Sequence, residues 1–539
     1  MSTSLVWRSW PWLCAGCFLL ALIPVWQVYR FGDFNDDVSY WALSSSLLQG
    51  LPYLDLARWD APAGSQFQIL YPLLLAPLIA LFPHHPEAYR LLNAGLGLLV
   101  LGSLWQLWKP LPPATRRLAL LVLALNPFWL YTSSTAMSEC TCLLTLVLCL
   151  LRLQQLVSPT AGQALLFGTA ASLCYYARLV GLLIAPTVAL TRLRSWRPAS
   201  LFTCMLGIAL GAGPHLLSIG WFVLASGSGK SGREHGSILL TNATYLPRVY
   251  GSTLLGAWPC PYWWLGGLAM GAALWGLWRL PSQRGSFWWT CLYLALLANW
   301  GFFLPRYAIP VLPFLIVGLS ECLRRLPWAG LRLLGVGLWF LLAAVGAFSQ
   351  HHPPRTDPGP LLRQFDAQRP AGTRTVSDWS VVAFHTGQPV AMQAPDQIFQ
   401  QDCNWLYWLE SERAGLIVLG PTYVHYPLAD YFEQRPHCYR KLYRDARLAA
   451  FVFQPDGQQR RAIRLHYVAR VAMQQQRLVC AERLFRASLA RQPKESQTHS
   501  GLAYSLAHQG RIEEAREELR ISLQLDPANQ EAAVLLRSL

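Results

Sequence analysis

Two aspartates stand side by side at positions 36 and 37, just after an apolar block, in the run Phe31-Gly-Asp-Phe-Asn-Asp-Asp-Val38. A carboxylate held against hydrocarbon loses hydration, becomes more basic and is costly unless it has a task. Asp36 and Asp37 are therefore candidates for a base that takes or orients a proton. For the single acids Asp33, Asp55 and Asp60 a solvated loop is the preferred account. Two arginines complement the pair: Arg178 closes Tyr175-Tyr-Ala-Arg178, and Arg306 opens Arg306-Tyr307-x-x-Pro310-x-x-Pro313, each at the end of an apolar stretch. A guanidinium never loses its charge and grips phosphate oxygens in pairs, although an arginine so placed can also snorkel to a lipid headgroup. Glu139 adds a carboxylate at the end of Asn126-Pro-Phe-Trp-Leu-Tyr131-x-x-Ser134-x-x-Met-Ser-Glu139. Such a set could activate a weak nucleophile and hold an anion.

The elements that must position these residues are membrane spans. The chain has 539 residues, 53% hydrophobic and only 13% charged, which excludes both an ordinary soluble protein and a long disordered one. The apolar block 12–29 reads as a signal anchor rather than a removed signal peptide. Further spans are expected at 90–108, 117–133, 138–151, 164–177, 179–190, 199–224, 262–278, 286–304, 308–323 and 331–349, about eleven in all. Residues 68–82 are apolar but short and carry Pro72 and Pro77, so this segment is expected to re-enter without crossing. The loops holding Lys109, Arg116 and Arg117, then Arg152, then Arg192, Arg194 and Arg197, then Arg279 and Arg284, then Arg324, Arg325 and Arg332 then fall on the side of Arg8. The positive-inside rule makes that side cytoplasmic. The opposite side receives Asp33, Asp36, Asp37, Asp55, Asp60, Glu87, Glu139 and Glu234, together with the C-terminal third of the chain. Much of the net charge of +16 is thus explained by topology, and no nucleic-acid partner is needed.

Three regions follow: a membrane domain over 1–350, a small α/β domain over 351–459 and helices over 460–539. The linker 351–360 is Pro-rich, and short β-like runs are expected at 376–384, 415–420 and 448–453. After Arg460 the pairs Ala481 and Ala515, Phe485 and Leu519, and Pro493 and Pro527 recur at a spacing of about 34 residues, the tetratricopeptide period. Two such units would pack on the α/β domain or extend a shorter array. The 13 cysteines show no zinc-type doublets. Cys403 and Cys438 alone lie together in a polar stretch and could pair in an oxidising compartment.

The order of these motifs resembles the glycosyltransferase C (GT-C) superfamily, polytopic enzymes that transfer a sugar from a polyprenyl-phosphate donor outside the cytoplasmic membrane. The resemblance covers roughly residues 30–320. It runs through the acidic pair, Tyr40 and an apolar helix, Gly50-x-x-Tyr53-x-Asp55, Tyr71-Pro-x-x-x-Leu-Ala-Pro, Arg90-Leu-Leu-Asn93, and the Glu139, Arg178 and Arg306-Tyr307 segments. It implies a polytopic α-helical membrane fold of GT-C type and a single inverting displacement. Asp36 or Asp37 would serve as base, and Glu139, Arg178, Arg306, Tyr307 and Tyr71 would bind substrate. The acceptor would be an envelope lipid, glycan or protein, and the repeats could bind a protein partner. The superfamily is divided on divalent-metal use, and no His-carboxylate cluster declares a metal here. The chain is similar to the aminoarabinose and protein mannosyl transferases, but Asp60-Ala-Pro-Ala-Gly-Ser-Gln-Phe-Gln lacks the charged residue and doubled prolines that many members carry before the Tyr-Pro element. Sugar and acceptor do not carry over. The rival expectation is a non-catalytic envelope scaffold working through its repeats. A transporter fits less well, because the charges gather at one face instead of the midplane.

Overall fold

The computed structural model describes residues 3–26, 36–51, 53–54, 56–57, 68–225, 246, 249–256, 263–298, 305–349, 357–377, 381–390, 414–420, 429, 432–433, 439–445, 448–455 and 457–539. Asp33, Asp55, Asp60, Glu234, Cys403 and Cys438 lie outside them. The chain divides into two compact units, Met1–Asp55 with Ala63–Thr356, and Leu56–Pro62 with Asp357–Leu539.

The first unit is helical: α1 (Thr3–Trp26), α2 (Asp36–Leu48), α3 (Leu70–Leu81), α4 (Pro86–Leu107), α5 (Pro113–Leu125), α6 (Pro127–Ser133), α7 (Glu139–Gln155), α8 (Ala161–Ala171), α9 (Leu173–Ala177), α10 (Ile184–Arg192) and α11 (Pro198–Ala225), then Trp263–Trp278, Arg284–Ala298, Leu312–Arg324 and Ala329–Ser349. Among the described residues three helices are long and apolar enough to cross a membrane, Ser9–Trp26, Pro86–Leu107 and Pro198–Leu216. At 12 residues, α3 rises only about 18 Å, short of a hydrocarbon core of about 30 Å. The expected span 117–133 is interrupted. Asn126 leaves the helical conformation, its Oδ1 accepts from the amides of Phe128 and Trp129, and Pro127 starts α6, where a proline costs no ladder bond. The expected 164–177 likewise breaks at Ser172 into α8 and α9, and 179–190 opens as a 3-10 turn, Leu179–Leu183.

Small residues let these helices approach closely, as packing in lipid favours. A Cβ on Gly318 would lie 2.0 Å from the Ala273 carbonyl oxygen, and one on Gly168 would lie 2.1 Å from that of Cys204. One end of the bundle gathers the arginine-bearing loops. Gln283 Nε2 donates to the Leu107 carbonyl at 3.2 Å, Gln154 Nε2 to the Ser282 carbonyl at 2.8 Å, and Arg192 Nη2 to the Leu153 carbonyl. Thr115 Oγ1 donates at 2.8 Å to Glu321, which also pairs with Arg324 at 2.7 Å and Arg325 at 2.6 Å. Glu321 is thus an acid at the arginine end, and it is fully neutralised there.

In the second unit, strands β1 (Arg374–Ser377), β2 (Ala414–Leu419), β3 (Tyr439–Arg444) and β4 (Ala449–Phe453) form a sheet in the order β1-β2-β4-β3, with β1 and β2 parallel and the other pairs antiparallel. β3 was not expected. The apolar run inside the expected strand 376–384 is instead a helix, Val381–Thr386. Val376, Ile417, Phe432, Phe451 and Phe453 form the core of this part. The Val390 amide donates to the Ala57 carbonyl at 3.0 Å, which ties Ala57 into this unit.

Helices Gly457–Gln474, Leu478–Leu489, Ser496–Ala507, Ile512–Leu525 and Gln530–Ser538 complete the unit. Ala481, Phe485, Ala515 and Leu519 are all fully buried in one cluster. The turns recur with the same period: Gln476 and Gly510 both adopt positive φ, 59° and 80°. Only the second carries the glycine for which this conformation is strain-free.

Candidate active site

Four segments far apart in the chain meet at the other end of the bundle, within the first unit. The first is the start of α2. Asp36 and Asp37 occupy its first turn, where the helix dipole favours carboxylates. The helix is stapled in place by Ser44 Oγ donating to the Pro72 carbonyl at 3.0 Å and by Trp41 Nε1 donating to the Pro83 carbonyl at 3.1 Å. The Tyr40 and Tyr71 rings pack edge to face with centroids 5.0 Å apart. Tyr89 Oη bonds the Phe82 and Pro83 carbonyls at 2.8 Å each, fixing the turn after α3.

The second segment leads into α7. Arg90, buried, donates through Nε to the Ser134 carbonyl at 2.7 Å, and its guanidinium lies 4.4 Å from the Trp26 ring centroid. Asn93 Nδ2 donates to the carbonyls of Thr135 and Met137. The Arg90-Leu-Leu-Asn93 motif is therefore a clamp on the loop that delivers Ser138 and Glu139. The third segment is the end of α9. Tyr175 Oη shares a 2.6 Å hydrogen bond with His215 Nδ1 and Tyr176 Oη donates to the Gly211 carbonyl at 2.8 Å, anchoring α9 on α11 and presenting Arg178. The fourth is the 3-10 turn Pro305–Ala308, which carries Arg306 and Tyr307.

These segments assemble into one polar network. Arg306 Nη2 lies 2.9 Å from Asp36 Oδ2, and Arg178 Nη1 lies 2.6 Å from Glu139 Oε1. Ser138 Oγ joins the two halves, 2.7 Å from Tyr40 Oη and 3.4 Å from Arg178 Nη1. Both guanidinium groups approach the Tyr307 ring, with centroid distances of 5.3 Å from Arg306 and 5.8 Å from Arg178. The two aspartates differ. The Asp36 side chain is 33% exposed and faces the arginines, whereas Asp37 is 1% exposed, with the Val38 amide donating to its Oδ1 at 2.9 Å. Burial pushes the Asp36 carboxyl above its ordinary value and nearby Glu139 adds to this, while Arg306 holds it back. Burial alone would depress the Arg306 guanidinium, but Glu139 and Asp36 more than offset it, so its charge is secure.

All seven residues singled out from the sequence lie in this region: Asp36, Asp37, Tyr71, Glu139, Arg178, Arg306 and Tyr307. Sequence reasoning missed Ser138 as the bridge and treated Tyr40 as a helix position only, although Tyr40 lies one turn after Asp36 and so on its face. It also missed Tyr250, which is fully buried. The hydroxyls of Tyr71 and Tyr250 and Oε2 of Glu139 are buried without a hydrogen-bond partner among the described residues. Such atoms have capacity left for a ligand. Among the described residues no three His, Cys, Asp or Glu side chains converge as metal ligands, and Asp36 and Glu139 each engage an arginine.

No family model matches the chain, and no curated protein matches it. Solved structures do. ArnT from Cupriavidus metallidurans bound to undecaprenyl phosphate is similar with a TM-score of 0.55 at 15% identity, over 84% of this chain and 98% of that one. The same protein in its apo state gives 0.54 over the same shares. The apo oligosaccharyltransferase of Archaeoglobus fulgidus gives 0.51 at 12% identity, over 78% of this chain and 70% of that one. At these identities the likeness is one of fold. ArnT is an aminoarabinose transferase, and both proteins are GT-C superfamily members. The architecture that gathers two carboxylates and two arginines from four segments is thus similar in fold to these two membrane proteins.

Proposed function

We propose that the protein is an integral-membrane glycosyltransferase that moves a sugar from a polyprenyl-phosphate donor to a hydroxyl or amine of an envelope lipid, glycan or protein. The observation that carries this reading is the Asp36–Arg306 pair at 2.9 Å, which sets a basic carboxylate beside a phosphate-binding cation. The acceptor atom attacks the anomeric carbon, Asp36 takes the acceptor proton, and the bond from that carbon to the phosphate oxygen breaks with its electrons. The departing polyprenyl phosphate is held by Arg306 and Arg178. Arrival of the donor phosphate draws Arg306 from Asp36, which removes the charge that restrains the carboxyl and raises its basicity where it is needed. Asp37, buried in α2, positions the first turn. Tyr71, Tyr307 and Glu139 line the sugar and phosphate region.

The chain resides in the cytoplasmic membrane in this reading. The arginine-rich end faces the cytoplasm, and the active site and the region from 351 onward face outward. The helices with the 34-residue period are tetratricopeptide-like and present or select the acceptor. The test is transfer of labelled sugar from a polyprenyl-phosphate donor in membranes lacking the protein or carrying wild type, Asp36→Asn, Asp37→Asn or Arg306→Ala at equal abundance. Loss in Asp36→Asn and Arg306→Ala supports the assignment. Protein-dependent transfer that is unchanged in both discards this site, and no protein-dependent transfer across a panel of donors discards the enzyme.

A further inference from the structure

The helix α7 runs from one end of the bundle to the other. Glu139 belongs to the site already described, and about 22 Å of helix further on Gln154 borders a cavity of about 540 Å³ at the arginine-bearing end of the bundle. Arg192, Arg194 and Arg284 line this cavity, and no acidic side chain does. At this same end Arg324 and Arg325 share Glu321 as a counter-ion. Here three arginines line one concave space, and Nε of Arg192 is buried without a hydrogen-bond partner among the described residues.

The rest of the wall adds to the same polarity. Ser282 and Arg284 bring the start of the helix Arg284–Ala298 to the cavity, and the amides and dipole of a helix start favour an anion. The Arg192 guanidinium is held in place through Nη2 on the Leu153 carbonyl. Leu150 and Leu153 give an apolar flank, suited to the carbon skeleton that carries a charged group.

We infer that this cavity binds a phosphate ester, presented either as the headgroup of an anionic lipid or as a free phosphate-bearing molecule. The cavity is separate from the residues proposed for sugar transfer, and its occupancy is read without any transfer assay. Three arginines match the charge of a phosphate and its bidentate geometry, and binding weakens as salt screens the attraction.

The experiment uses the full-length protein in nanodiscs of phosphatidylcholine containing a minor fraction of phosphatidylglycerol. Lipid retained by the purified protein is quantified by mass spectrometry, and thermal unfolding is followed with and without inorganic phosphate. Wild type and Arg152→Gln, a change at the same end but outside the cavity, are expected to enrich phosphatidylglycerol at least tenfold over Arg194→Gln/Arg284→Gln. Enrichment lost in the double variant identifies a lipid headgroup. A phosphate-induced rise in unfolding temperature, present in wild type and absent in the double variant, identifies a free phosphate ester. If the double variant does not purify, the exposed single change Arg194→Gln and the charge-keeping Arg194→Lys/Arg284→Lys provide the same contrast. Equal retention and equal phosphate response in wild type and charge-removing variants overturns the assignment.

Discussion

At the residue scale, the electrostatics of Asp36 decide how the proposed transfer should respond to pH. Burial holds its carboxyl above the ordinary range and Arg306 restrains the rise. Transfer should therefore fall on the acid side through an apparent pKa above the usual value of about 3.9 for aspartate. Replacing Arg306 with Gln removes the restraint, so the acid limb of the profile should move to higher pH while donor affinity weakens. A limb that stays put, or moves to lower pH, would contradict the pairing of these residues in the working enzyme. Asp36→Asn should lower the rate by about 10²–10⁴-fold at every pH, the usual contribution of a positioned base. Residue types marked the pair Asp36 and Asp37, Arg178 and Arg306 in the sequence, because charge beside an apolar block is costly, but they did not separate the two aspartates. Ser138 was not legible. Its role depends on Tyr40, 98 residues earlier, and a neutral hydroxyl carries no mark of such a partner.

At the element scale, the clamp from α4 predicts a positioning phenotype. Asn93→Leu removes the side-chain donor from the Met137 carbonyl and one of two donors from the Thr135 carbonyl, which keeps the Met137 amide at 3.0 Å, a loss of about 1–3 kcal/mol for the group left stranded. The loop before Glu139 should loosen, and the change should fall on donor KM more than on the proton-transfer step. An unchanged KM with a collapsed kcat would place Asn93 in the chemistry instead. In the second unit, His466 is buried against the Phe485 ring with Nδ1 2.8 Å from Thr498 Oγ1, and burial depresses its pKa to about 3. The unfolded chain takes up the proton near pH 6.5 and the folded chain does not. Its contribution is complete above about pH 6.5 and is lost progressively towards pH 3. His466→Gln should flatten that part of the stability profile of the full chain, measured by thermal unfolding. The neighbouring His499, raised by Glu518 at 2.5 Å, works in the opposite sense. Its contribution is present below about pH 6.5 and fades as pH rises through the raised value.

The elements show where sequence pattern reaches and where it stops. The 34-residue recurrence was visible because small and large apolar residues repeat in register, and the helix pairs follow it. β3 was hidden because Tyr439-Arg-Lys-Leu-Tyr-Arg444 is an edge strand whose charges face outward, as edges tend to. The run Val381-Val-Ala-Phe384 is too short for period to separate strand from helix, and it folded as helix.

At the scale of the whole molecule, the joined arginine loops make a topology prediction. Cysteines placed at Ser195 and Ser282 in an otherwise thiol-free chain should react with a membrane-impermeant reagent only after the cytoplasmic side is opened. One placed at His84, in the turn after α3, should react from outside. Labelling of His84 and Ser195 positions from the same side would overturn the arrangement. The expectation of this sidedness rests on the distribution of Lys and Arg in the sequence. It could not show that spans such as 117–133 break, because the Asn126 cap also reaches the Thr253 carbonyl at 3.1 Å, a partner supplied by distant chain. The link between Ala57 and Val390 bears on the order in which the protein is made. Roughly 330 residues separate the two, some 20 s to a minute of translation at ordinary speeds of about 5–20 residues per second. Ala57 therefore leaves the ribosome long before its hydrogen-bond partner exists. The Ala57 carbonyl must wait for this donor until the chain's last third has been made.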